Sequence, residues 1–137
     1  MENGAAVAVA LVFVWLGMVL GISFLEAPLK FRAPGVTLPI GLGIGRLVFR
    51  ALNAVEVVLA AGIAVALLAG GARGWVAFLV AVVALAVQLL AVRPALTRRS
   101  HAILEGLDAP RSRGHHAYVA LEIVKVVALI VTGVVLL

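Results

Sequence analysis

An all-α, polytopic membrane fold with a bundle of four spanning helices is the class this sequence predicts. Three observations carry that expectation. Of 137 residues, 65% are hydrophobic and only 12% are charged, whereas roughly 25% of a soluble domain is charged. The apolar residues gather in four runs close to the roughly 20 residues that a helix needs to cross the hydrocarbon core. The runs are unbroken and lack the alternation of a membrane strand. The length suits a single four-helix transmembrane domain over residues 1–137.

The first run, Ala5–Phe24, is uncharged and contains Trp15. No basic segment precedes it and it exceeds a signal-peptide core, so a retained helix is expected. Leu25–Gly45 reads as a structured Pro/Gly-rich connection. Pro28, Pro34 and Pro39 interrupt it, and the residue before each is disfavoured in a helix. Its apolar residues, from Leu29 and Phe31 to Leu42 and Ile44, place it at the membrane interface or partly inside the bundle. The second run, Leu47–Ala69, carries Arg50, Asn53 and Glu56. Gly70–Gly74 then reads as a tight turn between antiparallel neighbours. Trp75–Val92 is apolar except for Gln88, and Arg93-Pro94 is expected to close it. A short surface helix through Glu105 and a turn from Gly106 to Gly114 lead to the last run, Ala117–Leu137, which contains Glu122 and Lys125.

The formal charge of +5 belongs to helix ends, where orientation and lipid headgroups account for it better than nucleic acid does. Lys30, Arg32, Arg46 and Arg50 flank the first connection, and Arg93, Arg98, Arg99, Arg111 and Arg113 the third; the second has only Arg73. The positive-inside rule therefore places the first and third connections in the cytoplasm and both termini outside a cell membrane. Cysteine is absent, which excludes disulfides, thiol nucleophiles and Cys-bound metals.

Two polar stripes stand out against this background. At 100° per residue, Arg46, Asn53 and Glu56 share one face of the second helix, with Arg50 at its edge. His115, Tyr118, Glu122 and Lys125 share one face of the fourth. With helices starting at these boundaries, Glu56 and Lys125 lie roughly 13 Å deep, and Asn53, Gln88 and Glu122 roughly 9 Å. An unpaired charge there costs at least about 2.5–3.5 kcal/mol. Glu56 is therefore expected to pair with Lys125, and Glu122 with Arg46 or Arg50, while Asn53 and Gln88 close the network. The stripes can serve as a ligand site or only lock helix register.

Other patterns compete with these. His101, His115 and His116 could ligate a metal or serve as interface histidines; adjacent histidines on a helix diverge by about 100°. Gly41-x-Gly43-x-Gly45 ahead of a helix can hold an anion with Arg46 or act as a packed hinge. Gly17-x-x-x-Gly21 fits close helix contact. The sequence offers no Ser-His-Asp arrangement and no paired carboxylates on one face.

Trp15-x-Gly17, Ala27-Pro28-Leu29-Lys30-Phe31, Gly45-Arg46-Leu47-Val48-Phe49, the Arg-Pro step and His116-x-Tyr118 with Glu122 and Lys125 span most of the chain. Together they resemble small four-helix bacterial integral membrane proteins of unknown function. Those proteins are distantly similar to copper-resistance-D-type domains and to a eukaryotic family linked with drug resistance. Locally, Arg46, Arg50-Ala51, Asn53 and Glu56 are similar to the second helix of membrane-associated proteins in eicosanoid and glutathione metabolism. Here Phe49 stands where that family has a second Arg, and Gly45 where an acid precedes the first. That resemblance implies a trimer with glutathione between subunits.

The residues thus point to a membrane protein, expected as a homo-oligomer, that binds or transports a small anionic or amphipathic molecule in the cytoplasmic half of the bundle. Arg46, Arg50, Asn53, Glu56, Gln88, Tyr118, Glu122 and Lys125 would form the site, with Glu26, Lys30, Arg32 and His115 at its lid or entrance. No metal or resident cofactor is expected. A glutathione-dependent transferase or isomerase and a non-catalytic accessory or scaffolding subunit are the alternatives.

Overall fold

The computed structural model describes residues 3–70, 73–104 and 113–137, apart from the side chains of 95, 100, 104 and 113–115. These residues form five helices: α1 (Asn3–Arg32), α2 (Leu38–Gly70), α3 (Trp75–Val92), α4 (Arg93–Leu104) and α5 (Arg113–Leu136). α1, α2, α3 and the His116–Leu136 part of α5 are long and apolar enough to cross a membrane. Large apolar side chains such as Leu47, Val58, Leu68, Val76 and Leu90 remain exposed on them. Outward-facing surface of this kind suits contact with lipid.

Two prolines that should end helices lie within continuous ones. Ala27 and Arg93, which precede Pro28 and Pro94, both keep helical backbone angles. Ahead of each lies a stretch of widened turns, Leu20–Glu26 and Gln88–Val92. There the N–H of Ala27 donates to the carbonyl of Ile22, and that of Arg93 to the carbonyl of Gln88. A proline ring in a regular helix collides with the carbonyl four residues back. Hydrogen bonds running five residues back re-space those carbonyls. α1 therefore continues to Arg32, and α3 passes directly into α4.

The first connection shrinks accordingly, from the expected Leu25–Gly45 to residues 33–37. Val36 N–H donates to the carbonyl of Ala33 at 3.2 Å, closing a turn with Pro34 and then Gly35 at its centre. Gly35 has φ 81°, as a glycine in that third position of a type II turn does. Thr37 Oγ1 accepts the N–H of Ile40 at 3.3 Å, capping α2. Pro39 sits in that first turn, where a missing donor is harmless. Gly41, Gly43 and Gly45 fall inside α2. Their N–H groups serve the helix, which removes the anion-nest reading. Gly41 instead leaves room for the Phe31 ring, and a Cβ on Gly45 would lie 3.0 Å from Lys30 Nζ. The expected lid is thus a helical hairpin, the end of α1 laid on the start of α2. At 1.5 Å per residue, 30 residues of α1 and 33 of α2 reach about 45–50 Å, well beyond a hydrocarbon core of about 30 Å.

α1 packs along α2 and α5, α5 packs along α3, and α4 touches α2, α5 and the widened part of α3. Among the described residues α2 and α3 make no extended contact. The tight turn expected between these antiparallel neighbours includes residues 71 and 72, which lie outside the described residues. The core instead gathers around α1, where Ala8, Val12, Trp15 and Val19 meet Ile63, Leu67, Phe78, Leu85 and Leu129. α1 and α2 cross closely where a Cβ on Gly4 would lie 2.8 Å from the Ala66 carbonyl oxygen. Gly17 and Gly21, expected at a close contact, would meet nothing within 4 Å.

Candidate functional site

At mid-bundle a polar cluster is sealed from solvent: Trp15, Glu56, Gln88, Glu122 and Lys125 are all at or below 1% exposed. Lys125 sits at its centre, 2.5 Å from Glu56 Oε2 and 2.5 Å from Glu122 Oε1. It also donates to Gln88 Oε1 at 2.8 Å. An ammonium has three donors, and each finds an acceptor. Gln88 Nε2 donates to Glu122 Oε1 at 2.9 Å and to the Tyr118 carbonyl at 3.3 Å. Trp15 Nε1 donates to Glu56 Oε2 at 2.7 Å. The cluster thus joins α1, α2, α3 and α5 through charge-assisted bonds.

The expected Glu56–Lys125 pair is present. The expected partner of Glu122 is not: Lys125, one turn along the same helix, answers it, while Arg46 and Arg50 lie toward the projecting start of α2. Asn53 does not join the cluster either. It is 7% exposed, its Oδ1 has no partner, and it lines a cavity on the α3 side of α2.

Two cavities occupy the charged end. The first, about 440 Å³, is walled by Lys30, Arg46, Arg93 and Arg99, by Phe24, Phe31, Phe49 and Tyr118, and reaches Glu122. Lys30 Nζ lies 5.6 and 5.7 Å from the Phe31 and Phe49 ring centres. The Arg93 guanidinium lies 5.2 and 4.7 Å from the rings of Phe49 and Tyr118. Phe49 and Tyr118 meet edge to face, 5.8 Å between centroids. Buried polar atoms here lack partners: Ser23 Oγ, the Tyr118 hydroxyl, Glu122 Oε2 and two guanidinium nitrogens of Arg93. The second cavity, about 520 Å³, is lined by Gly43, Arg46, Leu47, Arg50, Asn53, Leu89, Arg93 and Thr97. Arg46 and Arg93 belong to both walls, and Arg46 also lies 3.3 Å from His101 Nε2.

The two sequence stripes therefore divide three ways. Glu56, Gln88, Glu122 and Lys125 form the sealed cluster. Tyr118 and Glu122 also face the first cavity, with Lys30 and Arg46. Arg46, Arg50 and Asn53 meet at the second. Neither cavity is lined by Glu56. Glu26 pairs with Lys30 at 3.8 Å. Arg32 lines neither cavity, and the side chain of His115 lies outside the described residues. Among those residues, no three potential metal ligands gather.

Two participants escaped the sequence reading. Trp15 was legible only through a general rule, that a buried indole N–H finds a partner. Arg93 was taken as the end of a helix, and only the uninterrupted passage through Pro94 turns it toward Phe49 and Tyr118. Comparison with protein-family models, with curated proteins and with solved structures finds no match. The chain stands on its own evidence as a small, all-α protein with four candidate membrane spans and a buried Glu56–Lys125–Glu122 cluster.

Proposed function

We propose that the protein, as one four-helix domain over its whole length, binds a small amphipathic anion in the first cavity and can pass it toward the bilayer interior. The observation that carries this reading is the cavity's composition: four cationic side chains, with Lys30 and Arg93 over aromatic rings, ending on Glu122. Cations over rings favour an organic anion with an apolar body, since charge and ring faces are then both satisfied. The Glu122 carboxylate repels a second negative charge at the far end, so a monoanion fits better than a dianion. Lys125 ties Glu122 to Glu56, which keeps the far end of the cavity fixed. The Lys and Arg distribution supports an arrangement with this end in the cytoplasm and both termini outside.

The test uses 1-naphthoate, with neutral 2-naphthalenemethanol as control, on protein in nanodiscs of zwitterionic lipid. Naphthoate should raise the unfolding temperature and the alcohol should not. Lys30→Gln should weaken naphthoate binding about fivefold, as loss of one cation near an interface does. If neither compound shifts unfolding and Lys30→Gln changes nothing, the charges only lock the helices, and the protein is an accessory or scaffolding subunit.

A further inference from the structure

The second cavity has a composition of its own. Three guanidiniums, Arg46, Arg50 and Arg93, line it together with Asn53, Thr97, Leu47 and Leu89, and no described carboxylate does. Two nitrogens of Arg93 have no partner. A cavity with this excess of donors calls for an anion with several acceptor oxygens, and guanidinium forks match phosphate oxygens two at a time.

Its position settles which phosphate. The cavity lies between α2, which supplies Arg46 to Asn53, and the α3–α4 passage, which supplies Leu89, Arg93 and Thr97. Among the described residues these two spans make no extended contact with each other, so the cavity between them opens sideways. Leu47 in its wall is 69% exposed, the surface an acyl chain would cover. Arg50 lies just inside the apolar run of α2, near the depth of lipid headgroups. We infer that the second cavity is a lateral binding site for one anionic glycerophospholipid. Its phosphodiester lies among Arg46, Arg50 and Arg93, and its chains descend the gap between α2 and α3.

The experiment titrates delipidated protein in maltoside detergent with dioleoyl phosphatidylglycerol and counts retained lipid by native mass spectrometry. Dioleoyl phosphatidylcholine is the comparison. One phosphatidylglycerol per chain should be retained, at least about tenfold more tightly than phosphatidylcholine. Arg50→Gln should weaken it about fivefold. Arg50→Lys should fall between, because the charge stays and the fork is lost. Arg32→Gln removes the same charge at the same end but touches neither cavity, and it should leave retention unchanged. Equal retention of the two lipids would overturn the inference. So would an Arg32→Gln effect as large as that of Arg50→Gln, which would make the attraction a general surface potential. Displacement of the lipid by millimolar inorganic phosphate would overturn it too, as the mark of a site for free phosphate. Arg50 is exposed, so its variants should fold, and their thermal unfolding should match that of Arg32→Gln.

Discussion

The sealed cluster around Lys125 and the charged end around Arg93 are built from the same kinds of side chain, and they are finished differently. In the cluster every donor of Lys125 is matched, both donors of Gln88 are used, and the Trp15 indole is taken up. At the charged end, two Arg93 nitrogens, the Tyr118 hydroxyl and Ser23 Oγ are unmatched, although space surrounds them. Charge alone does not distinguish a fastening from a receptor. What separates the two is whether the donors already have acceptors.

The largest expected effect comes from breaking the fastening. Lys125→Met leaves two buried carboxylates facing each other and should cost about 3–5 kcal/mol, read as lost folding yield or a collapse of Tm in detergent. Because Lys125 serves both acids, Glu56→Gln with Lys125→Met should recover only part of that. The triple variant that adds Glu122→Gln should recover most of it. If the double variant already matched the parent, Glu122 would not belong to the fastening. A smaller loss is expected for Trp15→Phe, which keeps the ring but removes the donor to Glu56, at about 1–3 kcal/mol by equilibrium unfolding. The smallest is expected at the charged end. The Tyr118 hydroxyl has no partner to lose, so Tyr118→Phe should change stability by less than about 0.5 kcal/mol. A Tyr118→Phe cost equal to that of Trp15→Phe would erase the contrast between the two regions.

Much of the architecture was legible in hydropathy, because the bilayer demands runs of about 20 apolar residues and tolerates few charges. The Glu56–Lys125 pair was legible for the same reason: at that depth each needs the other. What failed followed from local rules that tertiary structure overrode. Pro28 and Pro94 read as helix ends, yet the widened turns ahead of them let the helices continue, which lengthened α1 and moved Arg93 into the site. Gly41 and Gly45 read as loop glycines because the start of α2 was placed at Leu47. Helical spacing put Asn53 and Glu56 on one face, but about 60° of rotation is enough to send one toward α3 and the other toward α1 and α5. Periodicity gives a residue's angle on its own helix and leaves open which neighbour stands there.

The widened turns at Leu20–Glu26 and Gln88–Val92 have one more consequence. Each holds more chain per turn than a regular helix, so the angular clock of side chains is reset as the helix passes through. α1 shows Trp15 and Val19 to the bundle before its reset, and Lys30 and Phe31 to the first cavity after it. The passage from α3 into α4 does the same with Gln88 and Arg93. A single rod can then answer two unrelated surfaces in sequence. Winding the same residues as an unbroken α-helix would swing everything beyond either turn by about 100°, emptying the cavity wall while leaving the composition of the chain untouched.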